Sequence, residues 1–483
     1  MAILENYEPK NVFHYFEEIC SIPHGSGNTK QISDYLVNFA KAHQFRYVQD
    51  EMNNVVIYKP ATPGYENAPT LILQGHMDMV CEKRLDVEHD FTAEGLKLEV
   101  DGDYLSAEGT TLGGDDGIAV AYELAILDST DLSHPALEVV FTVDEEIGLL
   151  GADGFDCSVL KGRRMINLDS EEEGRLWVSC AGGVSGNSYL PVQRVEASGE
   201  KVSVKITGLT GGHSGAEIHK NRASANILIG QFLYELGSIC GYALKDLEGG
   251  LKDNAIPREC TAALLVLPEE VSLVTSQAEK MQAAFREEYA GSDENITIQV
   301  TKEGNEDAEV LHPTSQEKVI FFLMNLPFGV KKMSGTIEGL VETSCNPGIM
   351  KLYRDELFVQ TSIRSSVGSA KEALSHKIQY LSEFLGGEYD TEGNYPAWEY
   401  RKDSGLRDKM VEVYKEMYHQ DLQVVAIHAG LECGLFYERM EGLDCTSLGP
   451  NILDIHTYEE RLDMPSVKRV WEYLVKVLEA LKD

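Results

Sequence analysis

The sequence has few basic residues and no long run of apolar residues. Its 483 residues include 42 Lys and Arg against 79 Asp and Glu, which gives a formal net charge of −37. Such an acidic chain repels the phosphates of nucleic acids and the headgroups of anionic lipids, so we discount both as partners. No apolar run approaches the length needed to cross a bilayer, so a membrane protein is not expected either.

The cysteines show no paired pattern, and the first residues do not have the features expected of a leader. The nine cysteines are scattered singly, and no Cys-x-x-Cys pair occurs. An odd number of isolated cysteines is typical of reduced thiols rather than of a disulfide framework. The first residues, MAILENYEPKNVFHYFEEI, contain no basic region ahead of an apolar one and no small-residue cleavage site. These features predict a cytoplasmic protein.

The order of the predicted elements indicates an α/β protein with an insertion. A chain of 483 residues is too long for one hydrophobic core. Apolar strands alternate with helical patterns over residues 1–184 and 399–483, as in an α/β layer with a mostly parallel sheet. Between them, over residues 185–398, a different order of strands and helices occurs roughly twice. We therefore predict a catalytic domain interrupted by an inserted α+β domain of two lobes.

Polar side chains with metal-binding atoms follow several predicted strands. In LILQGHMDMV, residues 71–80, His76 and Asp78 come directly after an apolar run. Alternate residues of an extended chain share a face, so Asp78 can orient the imidazole of His76 and raise its basicity toward a metal. An isolated His-x-Asp is more often an ordinary polar loop. The prediction of a metal site therefore depends on further residues of the same kind.

Several carboxylates and one late histidine provide that support. They are Asp115 in the turn that feeds a predicted amphipathic helix, Glu145 and Glu146 after LEVVFTV, Asp169 after RRMINL, and His456 before the last helix. Ligands in open α/β sheets collect at the carboxyl ends of strands. This mixed nitrogen and oxygen set suits Zn²⁺, with Mn²⁺ or Co²⁺ as substitutes. Of Glu145 and Glu146, one can bind a metal while the other faces a substrate as a base.

Five features resemble the motifs of the dizinc peptidases of family M20. They are GHMDMV, GTTLGGDDGIA, TVDEEIGLLGA, NLDSEEEG and the late His456. Within the family the sequence is most similar to the aminoacyl-histidine (Xaa-His) dipeptidases, the carnosinase-like M20C group, from about residue 10 to the C-terminus. The resemblance implies a zinc-peptidase catalytic domain whose inserted domain forms a lid. An aspartate at position 169 is typical of the aminopeptidase and dipeptidase branches.

The resemblance also implies a role for each residue of the set. Two zinc ions would be held by His76, Asp115, Glu146, Asp169 and His456. Asp115 would bridge the ions, with His76 and Asp169 on one and Glu146 and His456 on the other. Asp78 would orient His76, and Glu145 would be the general base that activates a water. A cis peptide bond is implied between Asp115 and Asp116.

The resemblance further implies contacts with a small peptide substrate. The candidate residues are His213, His219, Asn254, Arg364 and Glu432. A lid histidine would stabilise the oxyanion, and the Gly-His-Ser-Gly context favours His213 over His219. Arg364 would bind the substrate carboxylate, because a guanidinium can donate two parallel hydrogen bonds to it. Asn254 would lie near the substrate, while Glu432 would either touch the substrate amine or have a structural role.

Several alternatives stay open at this stage. The resemblance favours hydrolysis of Xaa-His dipeptides, including β-Ala-His, but no residue chemically demands a C-terminal histidine. A broad dipeptidase, a tripeptidase or an N-acyl amino acid hydrolase would have the same motifs. A metal-binding scaffold with an inactive site is disfavoured, because it would not need Glu145. Since an inserted domain of two lobes can carry both His213 and Arg364, we expect one chain to form a complete site, whether as a monomer or a homodimer.

Overall fold

The computed structural model describes residues 3–482. Helices form where apolar residues recur at helical spacing, as in the first, which buries Val12, Phe13, Phe16 and Ile19. The α-helices are α1 (Lys10–Cys20), α2 (Lys30–Ala42), α3 (Gly114–Asp128), α4 (Leu150–Gly154), α5 (Ala225–Gly237), α6 (Val271–Glu288), α7 (Pro313–Asn325), α8 (Gly368–Phe384), α9 (Gly405–Tyr418), α10 (Cys433–Arg439) and α11 (Met464–Ala480). Short 3₁₀ helices cover Cys157–Val159, Ile218–Lys220 and Pro268–Glu270. Among the described residues, no helix has both the length and the apolar content required of a membrane span.

The strands vary from two to fifteen residues in length. They are β1 (Arg46–Gln49), β2 (Val55–Lys59), β3 (Leu71–His76), β4 (Leu98–Asp101), β5 (Tyr104–Ala107), β6 (Leu137–Thr142), β7 (Arg164–Asn167), β8 (Arg175–Cys180), β9 (Gly182–Pro191), β10 (Arg194–Thr207), β11 (Tyr242–Gly249), β12 (Cys260–Val266), β13 (Thr297–Leu311), β14 (Gly329–Met333), β15 (Val341–Leu352), β16 (Glu356–Ser365), β17 (Glu388–Tyr395), β18 (Gln423–Ile427), β19 (Asp444–Ser447), β20 (Ile452–Leu453) and β21 (Arg461–Asp463).

The chain forms two compact units. The first, here called the α/β unit, comprises Met1–Cys180, Trp398–Ala426 and Leu431–Asp483. The second, here called the inserted unit, comprises Ala181–Ala397 and Ile427–Gly430. The sequence prediction placed the boundaries after residues 184 and 398 and assigned 427–430 to the catalytic domain. That short segment begins with the last residue of β18, and nothing in its composition sets it apart.

The α/β unit is built on an eight-stranded sheet in the order β1-β2-β6-β3-β7-β19-β8-β18. Its central strands β6, β3, β7 and β19 pair in parallel, and β1, β2 and β8 pair in antiparallel fashion. The predicted α/β fold with a parallel sheet is therefore confirmed, with the parallel pairing in the central strands. A second, four-stranded sheet has the order β20-β21-β5-β4.

Two features of this unit differ from the sequence prediction. Helix α3 was expected to be amphipathic, yet every residue from Gly114 to Leu127 is buried. It packs against both α1 and β3, so it has no solvent face. Strands β4 and β5 lie within residues 82–109, a segment that is charged and that the sequence indicates as loop-rich. Each is only four residues long, which leaves too short an apolar pattern to recognise.

The inserted unit contains a nine-stranded antiparallel sheet. Eight strands follow the order β13-β10-β12-β11-β15-β16-β9-β17, and β14 pairs with β15. Pairing of β11 with β15 joins two halves of similar element order, so the two expected lobes share one sheet. They also share one apolar core, which includes Phe232 from the first half and Ile378 from the second. Strand β11 has no clear pattern in the sequence, because charged residues interrupt its apolar alternation.

Candidate metal centre

Three neighbouring parallel strands of the α/β unit end side by side. His76 is the last residue of β3, and β6 and β7 pair with β3 in parallel on either side. Glu145 and Glu146 follow β6, and Asp169 follows β7. The carboxyl ends of these strands therefore bring the four side chains to one edge of the sheet, as the sequence predicted.

Within residues 3–482, three overlapping groups have candidate ligand atoms within 4.8 Å of one another. The groups are His76 with Asp116 and Asp169, His76 with Glu145 and Glu146, and Asp115 with Glu146 and His456. The structure thus places all five predicted metal ligands in one connected cluster. It adds Asp116, whose part in the cluster the sequence analysis did not anticipate.

Asp115 lies between the two histidines of the cluster. Its Oδ1 is 3.1 Å from His76 Nε2, and its Oδ2 is 3.1 Å from His456 Nε2. His456 Nε2 is also 3.1 Å from Glu146 Oε2, and His76 Nε2 is 3.9 Å from Asp169 Oδ1. Each oxygen of Asp115 therefore faces a different set of ligands, which is the placement that a bridging carboxylate needs.

The turn before α3 gives Asp115 and Asp116 their positions. The peptide bond between them is cis, as the resemblance implied. Asp116 turns back toward β3, where its Oδ2 accepts a hydrogen bond from His76 N at 3.2 Å. A Cβ at Gly75 would lie 2.7 Å from that same oxygen, so the approach requires glycine. The first turn of α3 is thus fitted closely against the end of β3.

Asp78 connects the His76 segment to the loop after β6. Its carboxylate accepts hydrogen bonds from Ser26 Oγ at 2.7 Å and from the backbone N–H of Glu145 at 3.1 Å. His76 Nδ1 lies 3.1 Å from the Asp78 carbonyl oxygen and 3.5 Å from its Oδ1. Because both neighbours accept, Nδ1 carries a proton, which leaves Nε2 as the nitrogen that could bind a metal ion. That nitrogen faces Asp115 and is the atom suited to a metal.

Carboxylates outnumber imidazoles at this edge of the sheet. Burial raises the pKa of Glu145 and of Asp169 well above the usual range. Hydrogen bonds to Asp115 and Glu146 raise the pKa of His456 to about 11. Bound cations would offset both effects, because they would place positive charge among these buried carboxylates. Glu146 Oε1 is buried without a hydrogen-bond partner, so an acceptor atom is also available. The residues therefore fit divalent metal ions.

Glu432 contacts polar side chains of the neighbouring strands β3 and β6. It is fully buried, and its Oε2 accepts hydrogen bonds from Gln74 Nε2 and Thr142 Oγ1, each at 2.6 Å. Its Oε1 has no hydrogen-bond partner, and burial raises its pKa to about 7. The sequence left two roles open for Glu432, contact with the substrate amine or a structural role. The two hydrogen bonds to Oε2 fit the structural role.

A second group of polar side chains lies within the inserted unit. A Cβ at Gly215 would lie 3.0 Å from His213 Cε1 and 3.2 Å from Arg364 Nε, so these two side chains flank one glycine. The carbonyl of Asn254 accepts a hydrogen bond from Ser214 N at 2.8 Å. His219 is exposed and lies in the 3₁₀ helix Ile218–Lys220. The structure thus brings three of the four predicted lid residues together and leaves His219 apart from these contacts.

Hydrogen bonds define the available atoms of His213 and Arg364. His213 Nδ1 accepts from the backbone N–H groups of residues 215 and 216 at 3.2 and 3.0 Å. The ring proton is therefore on Nε2, which can donate. Arg364 Nη1 donates to Tyr395 Oη at 2.8 Å, and its Nε is buried without a hydrogen-bond partner.

His428 is a further member of this group that the sequence analysis did not identify. It is buried, and its Nε2 lies 2.7 Å from Ser344 Oγ. Burial, and then the charge of Arg364, lower its pKa to about 3, so the ring is neutral. Neither His428 nor Tyr395 belongs to a motif, and only the folded chain brings them to Arg364.

The chain resembles known peptidases over its whole length. It is 35% identical over 483 residues to the cytosol non-specific dipeptidase of Escherichia coli (strain K12), covering 100% of this chain and 99% of the relative. The crystal structure of an aminoacylhistidine dipeptidase from Vibrio alginolyticus matches with a TM-score of 0.93 and 35% identity, covering 99% of this chain and 98% of that one.

More distant structures share the fold alone. The crystal structure of aminopeptidase PepT from Bacillus cereus matches with a TM-score of 0.58 and 14% identity, covering 99% of this chain and 100% of that one. The sequence profile of peptidase family M20/M25/M40 matches residues 72–480, which include every member of the candidate metal centre. The chain therefore belongs to peptidase family M20/M25/M40.

Proposed function

We propose that the protein is a metal-dependent dipeptidase whose centre holds two divalent cations, with Zn²⁺ the preferred metal. The observation that carries this proposal is the position of Asp115, whose two oxygens each lie 3.1 Å from a different histidine nitrogen. His76 and Asp169 would complete one metal site, and Glu146 and His456 the other. When bound, the cations would lower the pKa of a water and polarise the scissile carbonyl.

Glu145 would move the proton during hydrolysis. Its backbone N–H is held by Asp78 at 3.1 Å, and its side chain lies in one group with His76 and Glu146. A carboxylate there can take a proton from the attacking water as the new carbon–oxygen bond forms. The same carboxyl can then return that proton to the leaving amine as the carbon–nitrogen bond breaks, which leaves Glu145 unchanged.

The inserted unit would supply the remaining contacts with substrate. His213 carries its proton on Nε2, so that nitrogen can donate a hydrogen bond to the oxygen that becomes negative in the transition state. Arg364, whose Nε has no hydrogen-bond partner, would bind the C-terminal carboxylate of a dipeptide. Asn254 would lie beside them, and His219 is the less suitable oxyanion donor because it is exposed.

Two substrate ranges are considered. The first proposed range is Xaa-His dipeptides, including β-Ala-His. It is supported by the similarity to the aminoacylhistidine dipeptidase from Vibrio alginolyticus. The second proposed range is a broader set of dipeptides, which the similarity to the non-specific dipeptidase of Escherichia coli supports. The tripeptidase and N-acyl amino acid hydrolase alternatives differ from both in the length or the blocked N-terminus of their substrates.

Release of free amino acids from a substrate panel tests these proposals. After zinc loading, the panel would contain Ala-His, Gly-His, β-Ala-His, Ala-Leu, a tripeptide and an acetylated amino acid. Preferred cleavage of the histidine dipeptides supports the first range, and equal cleavage of Ala-Leu supports the second. Cleavage of only the acetylated substrate or the tripeptide would overturn the dipeptidase proposal. A zinc-loaded protein inert toward the whole panel would favour a scaffold with an inactive site.

We also propose a cytoplasmic protein whose site is complete in one chain, as a monomer or a homodimer. All nine cysteines are free, which agrees with a reducing compartment. His213 and Arg364 both belong to one inserted unit, so a single chain can carry both. Mixing inactive His213→Ala and Glu145→Ala chains tests this: no activity should return, and restored activity would show that subunits share sites.

A further inference from the structure

Glu460 is a buried carboxylate on the loop that carries His456. It is 2% exposed, and both of its oxygens accept hydrogen bonds from backbone N–H groups. Oε2 accepts from residues 112 and 113 at 2.7 and 3.0 Å, and Oε1 from residues 114 and 115 at 2.8 and 3.3 Å. The four donors are consecutive, and the last belongs to Asp115. Since both oxygens are occupied in this way, Glu460 is an anchor rather than a metal ligand.

The turn at residues 112–115, which donates these hydrogen bonds, has a backbone conformation that suits an anion. Gly113 has a φ of 66°, in the left-handed region, and successive N–H groups around such a residue point into one concavity. A Cβ at Gly114 would lie 3.1 Å from Glu460 Oε1, so glycine there leaves room for the close contact. A glutamine at position 460 would offer only one acceptor oxygen, and its amide group would face two of the N–H donors.

At its other end Glu460 belongs to a tightly held loop. Strands β20 and β21 pair through Ile452 with Leu462 and Leu453 with Arg461, and the loop between them carries His456. The N–H of Glu460 donates to the Thr457 carbonyl at 3.2 Å, which closes the loop directly before β21. The carboxylate of Glu460 therefore ties the loop of His456 to the turn of Asp115.

We infer that Glu460 is a positioning residue of the metal centre, which sets the distance between His456 and the bridging Asp115. This inference rests on the proposed metal centre but not on the identity of the substrate. Asp78 makes contacts of the same kind, since its carboxylate accepts hydrogen bonds from the backbone N–H groups of Glu145 and Glu146 at 3.1 and 3.4 Å. Each of these carboxylates fixes ligand-bearing backbone without binding the metal itself.

The test is metal binding by the Glu460→Gln variant of the full chain. Metal-free protein would be titrated with Zn²⁺ in a calorimeter and with Co²⁺ by visible absorption. Loss of a partner that orients metal ligands typically weakens binding about 10- to 100-fold, and we expect a loss of this size for at least one of the two equivalents. The Co²⁺ spectrum should change as well, because His456 and Asp115 would no longer hold their geometry. KM for a dipeptide should change little.

Glu138→Gln is the matched control. Glu138 is 4% exposed, and its carboxylate accepts from the N–H groups of Lys161 at 2.9 Å and Gly162 at 2.9 Å, but these residues carry no metal ligand. This variant should lose thermal stability and keep wild-type metal affinity. Glu460→Asp retains the charge and should bind metal more weakly than wild type but more tightly than Glu460→Gln.

Three outcomes separate the possibilities. Wild-type affinity and spectrum in Glu460→Gln would overturn the inference while leaving the proposed function intact. An equal loss of affinity in Glu138→Gln would also overturn it, since the effect would then be general destabilisation. Failure of the wild-type chain to bind either metal would overturn the proposed metal centre itself. If Glu460→Gln does not fold, wild-type affinity in Glu460→Asp contradicts the inference in its place.

Discussion

Two histidines of this protein present the same ring nitrogen, Nε2, for different purposes, and their neighbours determine what each Nδ1 does. His76 Nδ1 faces two acceptor oxygens of Asp78, so that nitrogen holds a proton, and Nε2 is the one whose lone pair a metal ion could take. His213 Nδ1 accepts two backbone N–H groups, so its Nε2 carries a proton. A lone pair suits a metal ion, and a proton suits a developing oxyanion. The sequence could suggest both histidines as functional but could not assign these tautomers.

At the residue scale, Glu145→Gln should separate chemistry from metal binding. Glutamine cannot accept the proton of the attacking water, so kcat should fall by about 10²- to 10⁴-fold. The predicted ligands are unchanged, and the variant should bind as much zinc as the wild type. Steady-state kinetics with measured zinc content checks this. A variant that keeps more than a tenth of wild-type kcat would exclude Glu145 as the base.

Arg364→Leu should weaken substrate binding. A hydrogen bond to a charged group contributes about 1.5–3 kcal/mol, so KM for Ala-His should rise about tenfold or more. The control is Arg354→Leu, in the same unit, whose side chain is 74% exposed and should leave KM unchanged. Equal KM values for the two variants would contradict the role of Arg364 in binding carboxylate.

At the scale of elements, the end of a strand was the strongest signal in the sequence. His76, Glu146 and Asp169 each follow an apolar run, and parallel strand ends meet at one edge, so their proximity was predictable. Strand β11 was not predictable from the sequence, because its lysine, aspartate and glutamate occupy exposed or partly exposed positions of an antiparallel sheet. The burial of α3 on all sides was also missed, since it depends on what packs around the helix.

Glu123 in α3 gives a pH-dependent prediction for this element. It is fully buried, neither oxygen has a hydrogen-bond partner, and burial raises its pKa well above the usual range. The folded chain therefore keeps the proton above pH 4.5, where the unfolded chain releases it, and stability falls as the pH rises through that window.

Glu123→Gln removes this ionisation. Near pH 4 its unfolding free energy should equal that of the wild type. Above pH 4.5 the variant should become increasingly more stable than the wild type. The difference in unfolding free energy should grow by up to about 1.4 kcal/mol per pH unit until Glu123 ionises in the folded chain. Urea denaturation of both proteins at pH 4.5, 6 and 8 measures it. A difference that does not change with pH would show that Glu123 ionises normally in the fold.

At the scale of the whole molecule, a net charge of −37 accompanies a buried concentration of carboxylates. Removing bound zinc with a chelator should therefore lower the unfolding temperature, because the repulsion among these groups is no longer compensated. A ligand present at 100 times its Kd stabilises a fold by about 2.7 kcal/mol. Differential scanning calorimetry before chelation, after it, and after zinc is restored should show a reversible shift. No shift would contradict a metal centre in the folded chain.

The sequence predicted the α/β architecture, and the residues it proposed as metal ligands lie in one cluster, but it did not indicate the residues that hold them in place. Glu460 could not be identified, because its partners are backbone N–H groups about 345 residues earlier in the chain. The contact of Arg364 with Tyr395 likewise depends on how the strands of the inserted unit pair. Motifs reveal side chains with distinctive chemistry, whereas anchoring contacts with the backbone leave no such pattern.

The central claim is that two metal ions in this cluster support hydrolysis of dipeptides. It is tested most directly by titrating metal-free protein with Zn²⁺ while measuring the release of amino acids from Ala-His. We predict that activity increases until two equivalents per chain are bound, and that Asp115→Asn abolishes the increase. Full activity without metal, or in the Asp115→Asn variant, would contradict the account.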